Sequence, residues 1–310
     1  MKKLSQEAFA RARTFVMDQG RELAGRLFEF HFAAGFKDAV LEALTDYQND
    51  DGGFGRGLEP DLRMAGSSAV ATTVGFQILR EVGVCGDHAL VQQGISYFLT
   101  TYEEERQAWP IIPPEANNDP RAPWWNCEKS AEFFGNFLAN PRAAIVGYLH
   151  NYNAQVPTDL LEQLTASVIG HLGSLPDDKM DMHDLLCAIC LAESETLGES
   201  ERQRVLEKIK RAAVHTVTKD PQKWSEYSAK PLWLAPTPDA PLAAELAKEA
   251  QMNLDFEIDH QGKDGSWSPF WSWGEEYPEA WQEARRQWQA KLTVDVLKSL
   301  KAFGRLEGVG

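Results

Sequence analysis

The chain has 310 residues, and its 46 acidic against 31 basic side chains leave a net charge of −15. That balance repels the phosphate backbone of nucleic acid and the surface of an anionic membrane, so neither is expected as a partner. No stretch offers the roughly 20 apolar residues of a membrane-spanning helix, and polar Ser5-Gln6-Glu7 follows Met1-Lys2-Lys3 where a signal peptide needs an apolar run, so a cytoplasmic chain without stable membrane insertion is expected.

Apolar positions recur at helical spacing over about 5–33 (Phe9, Ala12, Phe15, Val16, Leu23, Leu27, Phe28, Phe32) and again from Lys37 to Tyr47. Gly66-Ser67-Ser68 offers a cap to a segment, Ala69–Leu79, that is apolar on most sides and reads as a buried helix, whereas Asp87–Tyr102 is two-faced. Some 35 residues rich in proline and tryptophan then break the rhythm, a loop too long to be only a connection. The alternation resumes with Pro141–Tyr152, apolar on most sides, and amphipathic Thr158–Leu172; then Met182–Leu191, read as the most buried helix, and charged Glu199–Val217. A second aromatic, proline-broken segment precedes helices at Leu242–Phe256 and from about Pro278 to Phe303. Period-two alternation is missing, so the class is all-α. Five or six hairpins, each a buried helix followed by an amphipathic one, bury both kinds together when arranged as a ring around a cavity, one domain spanning 1–310.

One pattern occurs twice, Gln48-x-x-Asp51-Gly52-Gly53-Phe54 and Gln261-x-x-Asp264-Gly265-Ser266-Trp267, each between helical segments. Asp-Gly turns the chain with glycine admitting positive φ, the glutamine can bond orphan backbone groups, and the aromatic ring can cover a helix end. In these residues the chain resembles the QW-type repeats of the terpenoid cyclase and protein prenyltransferase superfamily, and the helical rhythm extends the likeness over most of its length. The resemblance implies an α/α toroid whose motif residues staple helices, and a hydrophobic, isoprenoid-type ligand in an aromatic-lined central cavity.

Several constellations are candidates for chemistry. Asp181-Met182-His183-Asp184 is similar to the D-x-D-D acid motif of class II terpenoid cyclases, with His183 where that family has its proton-donating aspartate; the likeness implies that Asp181, His183 and Asp184 protonate the ligand. Asp177-Asp178-x-x-Asp181 has the letters of a magnesium-binding D-D-x-x-D motif, and acidic residues at a helix N-terminus also serve simply to cap it. His183, Cys187 and Cys190 form one helical stripe that would suit zinc, or a plain core stripe, since cysteine is among the most buried residue types. No cofactor is expected, with zinc and magnesium as the metals to weigh. Of ten tryptophans, Trp109, Trp124, Trp125, Trp224, Trp233, Trp267, Trp271 and Trp273 lie outside helical interiors. All but Trp267, read as a plug for its loop, are candidates for an aromatic bowl that would suit a carbocation, a prenyl chain or a sugar. Glu59 and Asp61 offer carboxylates for the alternative of a carbohydrate-active hairpin ring; a non-catalytic binding toroid is the third possibility.

Overall fold

A computed structural model of the chain describes residues 1–308. The all-α expectation is met: the described residues hold thirteen α-helices, six short 3-10 turns and isolated bridges, with no strand among them. In chain order the helices are α1 (Gln6–Gln19), α2 (Glu22–Phe32), α3 (Lys37–Thr45), α4 (Ala69–Glu81), α5 (Ala89–Thr100), α6 (Cys127–Phe133) and α7 (Arg142–Asn151). There follow α8 (Thr158–Ser174), α9 (Met182–Ala192), α10 (Glu199–Thr216), α11 (Pro231–Leu234), α12 (Ala247–Asp259) and α13 (Pro278–Ala302). The chain divides into two compact units, one of Met1–Ala43 with Val217–Gly310, the other of Leu44–Thr216.

In the unit 44–216, α4 starts where the sequence offered its cap, with Ser68 Oγ accepting from Ala71 N at 3.2 Å. The helix buried on every side is α7, in which each residue from Arg142 to His150 is buried; α9 keeps a half-buried stripe and is not the most enclosed. Gly147 lets the backbones of α7 and α9 approach closely, since a Cβ there would stand 2.9 Å from Cys190 O. The amphipathic helices α8 and α10 pack on these two with one face each, as their charge pattern requires.

In the other unit, the core joins Phe15 and Val16 of α1, Phe28 of α2, Leu254 of α12 and Val294, Leu297 and Leu300 of α13. The two ends of the chain meet there. Leu4 N donates to Arg305 O (2.8 Å), Glu307 N donates to Leu4 O (3.0 Å), and the buried Arg305 guanidinium donates to Lys2 O, Gln251 Oε1 and Asp255 Oδ1.

The two Q-x-x-D-G loops, one in each unit, fold alike bond for bond. Gln48 Nε2 donates to Gly52 O (2.9 Å) and to Leu90 O in the first turn of α5 (3.0 Å); Gln261 Nε2 donates to Gly265 O (2.9 Å) and to Ala8 O in the first turn of α1 (2.9 Å). Asp51 Oδ1 accepts from Gly53 N and Asp264 Oδ1 from Ser266 N, both at 3.0 Å. Phe54 N donates to Thr72 Oγ1 of α4 (3.0 Å) and Trp267 N to Thr293 Oγ1 of α13 (3.1 Å). Gly52 and Gly265 have φ of 85° and 94°. A Cβ on either would collide with helix backbone, at Gln93 O (2.2 Å) or Arg11 C (2.4 Å), so both conformation and space demand glycine. Gln93 and Arg11 each lie three residues beyond the carbonyl that the glutamine bonds. The helix α13 therefore pairs with α1, from opposite ends of the chain, as α4 pairs with its neighbour α5.

Candidate ligand site

Within the unit of residues 1–43 and 217–310, the tract after the second loop is anchored to α13 before it displays its rings. Besides the Trp267–Thr293 bond, Gln289 Nε2 donates to Ser268 Oγ at 3.0 Å, and Trp267 Nε1 donates to Glu257 O at 2.9 Å. Trp267 is thus buried, the loop plug read from the sequence. Pro269 then turns out Phe270 and Trp271, whose rings meet edge to face at 5.0 Å. Phe270 lies 5.5 Å from Trp233 on α11 and 5.8 Å from Tyr227, and Trp271 lies 5.1 Å from Trp288 on α13, again edge to face. The result is a continuous five-ring array in which Trp233, Phe270, Trp271 and Trp288 are half-buried and Tyr227 is 66 % exposed.

A buried cation underlies one end of the array. Lys230 Nζ stands 5.6 Å from the Phe270 ring centre and 5.1 Å from that of Phe256, and pairs with Glu257 Oε1 at 3.0 Å. Asn253 fixes the pair, donating to Glu257 Oε1 (3.2 Å) and accepting from Leu232 N at the start of α11 (3.2 Å). A charge so neutralised leaves the ring faces as the surface on offer, suited to apolar or flat ligands.

The structure brings together two of the expected bowl tryptophans, Trp233 and Trp271. Trp224 is instead buried, donating Nε1 to Thr218 O (2.7 Å) with its edge on Phe256, and Trp273 is buried against Trp281 at 5.7 Å. Trp109, Trp124 and Trp125 belong to the other unit. There Trp109 is buried, with Nε1 donating to Phe98 O (2.7 Å), Trp125 stacks on Phe134 at 5.3 Å, and Trp124 is half-buried. Sequence reasoning missed Trp288. Its signal is helical spacing, seven residues after Trp281, which marks a recurring aromatic face on α13.

The acidic turn before α9 is first of all a helix cap. Asp181 is exposed, its Oδ1 accepts from Asp184 N (2.9 Å), and the Asp184 carboxylate reaches back to Asp181 N, a reciprocal capping box. Burial, reinforced by the charge of Asp181, pushes the Asp184 carboxyl up to about 7. Burial also holds His183 below the usual histidine range, favouring neutral imidazole. Cys187 and Cys190 are raised by burial and stay thiols; Cys187 Sγ meets Asn140 Oδ1 at 3.6 Å, and Arg80 Nη1 donates to Cys190 Sγ at 3.3 Å. Among the described residues no three His, Cys, Asp or Glu side chains gather as a metal would require. Asp177 pairs with Lys208 (2.6 Å) and Arg211 (3.1 Å) of α10. Glu59 and Asp61 are both buried in the loop before α4, where Glu59 Oε1 accepts from Asp61 N (3.3 Å) and Asp61 O from Ala122 N (2.8 Å).

No helix of the described residues is long and apolar enough to cross a membrane. Against known proteins, no family model and no curated protein matches the chain.

Proposed function

We propose that the chain is a helical-hairpin protein of the terpenoid cyclase and prenyltransferase type, its hairpins forming an α/α toroid, and that it binds a hydrophobic, isoprenoid-type ligand on the rings of Tyr227, Trp233, Phe270, Trp271 and Trp288. The observation that carries the binding reading is the continuous, partly exposed five-ring array. The matching hydrogen bonds of the two Q-x-x-D-G loops support the choice of fold type.

Binding is favoured over proton-initiated cyclisation. An acid near 7, as at Asp184, gives its proton to oxygen or nitrogen far more readily than to an isolated alkene, and His183 is biased to the neutral form. The test is calorimetric titration of the full chain with farnesol, geranylgeraniol and squalene, and with oligosaccharides as the carbohydrate arm. Saturable binding of the isoprenoids, weakened about tenfold in Trp271→Ala by the loss of a buried contact face, is expected. Isoprenoids that fail to bind, or bind the variant equally well, refute the assignment; saturation by oligosaccharide alone transfers the array to a sugar. Product analysis of the same mixtures, compared with Asp184→Asn, reads any cyclisation.

A further inference from the structure

Between α8 and α10, in the unit 44–216, the two helices leave a cavity of about 180 Å³. Its wall is Ile169 and Leu172 of α8 with Val205 of α10, three buried aliphatic side chains, and the buried Lys208 stands beside them. Gly173, Arg204, Glu207 and Arg211 line it as well, and all four are exposed, so they form its mouth. Gly173 leaves room there, since a Cβ on it would meet nothing within 4 Å. Roughly 150 Å³ holds a benzene molecule in a protein interior, so this space suits a ligand only a little larger.

The charges at the mouth say what kind of ligand. Lys208 is 3 % exposed, and its ammonium donates to Leu175 O and to Asp177 Oδ1 (2.6 Å), which leaves one of its three N–H groups unused. Arg211 Nε donates to the other oxygen of the same carboxylate at 3.1 Å. Arg204 meets no carboxylate among the described residues. Arg204, Lys208 and Arg211 thus stand against Glu207 and Asp177, a surplus of one positive charge. The bias runs along the helix: α10 sets Arg202, Arg204, Lys208, Lys210 and Arg211 against Glu199, Glu201 and Glu207, in a chain whose net charge is −15. An aliphatic wall with a single surplus cation at its mouth is the complement of an apolar tail that ends in one negative charge.

We propose that this cavity binds a small monocarboxylate with a short hydrocarbon tail, the tail lying on Ile169, Leu172 and Val205 and the carboxylate accepting from Arg204 and from the remaining N–H of Lys208. The site shares no residue with the ring array and does not rest on the reading of that array. The test is calorimetric titration of the full chain at low ionic strength with hexanoate, beside hexanol, which has the tail alone, and acetate, which has the charge alone. Saturable binding of hexanoate is expected, with hexanol and acetate each at least about tenfold weaker. Arg204→Gln changes an exposed side chain and should weaken hexanoate about fivefold. Gly173→Leu improves the helix and places a side chain in the open mouth, so it should fold normally and weaken hexanoate about tenfold. Trp271→Ala, in the ring array, should leave hexanoate binding unchanged. Failure of hexanoate to saturate, equal binding of hexanol, or unchanged affinity in both cavity variants overturns the site, and so does a loss confined to Trp271→Ala, which would move the carboxylate to the ring array.

Discussion

An aspartate in water titrates near 3.9, yet burial and the Asp181 charge push Asp184 up to about 7. Between those values the folded chain keeps a proton that the unfolded chain has released. The contribution to stability is therefore full below pH about 4 and is lost as pH rises to about 7. Asp184→Asn retains the side-chain shape and removes the titration. Urea unfolding across that window should show wild type losing about 1–2 kcal/mol, after allowance for a half-buried site, that the variant does not lose. Asp181→Asn keeps a competent cap but deletes the neighbouring charge, so the Asp184 carboxyl carbon should titrate at lower pH in NMR. Parallel stability profiles for wild type and Asp184→Asn would show that the carboxyl is not perturbed.

The helix–loop–helix element owes its geometry to a threonine that no motif announced. Thr72 and Thr293 each accept the N–H of the motif aromatic residue while donating back to a carbonyl one turn earlier, Ser68 O at 2.8 Å and Gln289 O at 2.7 Å. Valine has the same shape without the oxygen, so Thr72→Val and Thr293→Val each strand a buried N–H and should cost about 1–2 kcal/mol. Thr73 is the internal control. Its hydroxyl bonds only Val70 O of its own helix, and Thr73→Val should stay within about 0.5 kcal/mol of wild type. Denaturant midpoints of the three variants decide it, and equal losses at all three positions would remove any special role for the motif threonines. Sequence reading found Gln, Asp, Gly and the aromatic because they are close together; it missed the threonines because their distance from the loop differs, 18 residues in one copy and 26 in the other.

Helical class and most helix positions were legible in the whole chain because a 3.6-residue period is local information. The site was less so. Trp233 and Trp271 could be named from composition, but which rings touch depends on how the tract of Phe270 is pinned to α13, and the Asp181 letters fit a cap as well as an acid. Contacts between the chain's ends were invisible for the same reason: nothing near Leu4 in sequence announces Arg305. That arginine is 1 % exposed and serves acceptors from three places, Lys2, Gln251 and Asp255, so it ties the first residues to α12 and to the turn after α13. Lysine has three N–H donors but all on one nitrogen, so it cannot span acceptors that Arg305 meets with Nε, Nη1 and Nη2 separately, and methionine has no donor. Arg305→Met strands the acceptors but leaves Asp255 partly in water, so the loss should be about 2–3 kcal/mol, below that of a fully buried ion pair. Because Leu4 N and Glu307 N are held by the bridge that Arg305 secures, their amides should lose hydrogen-exchange protection in the variant while those inside α7, in the other unit, keep theirs. Retained protection at both amides would mean that the apolar contacts of Leu4 and Leu306 close the chain without the arginine.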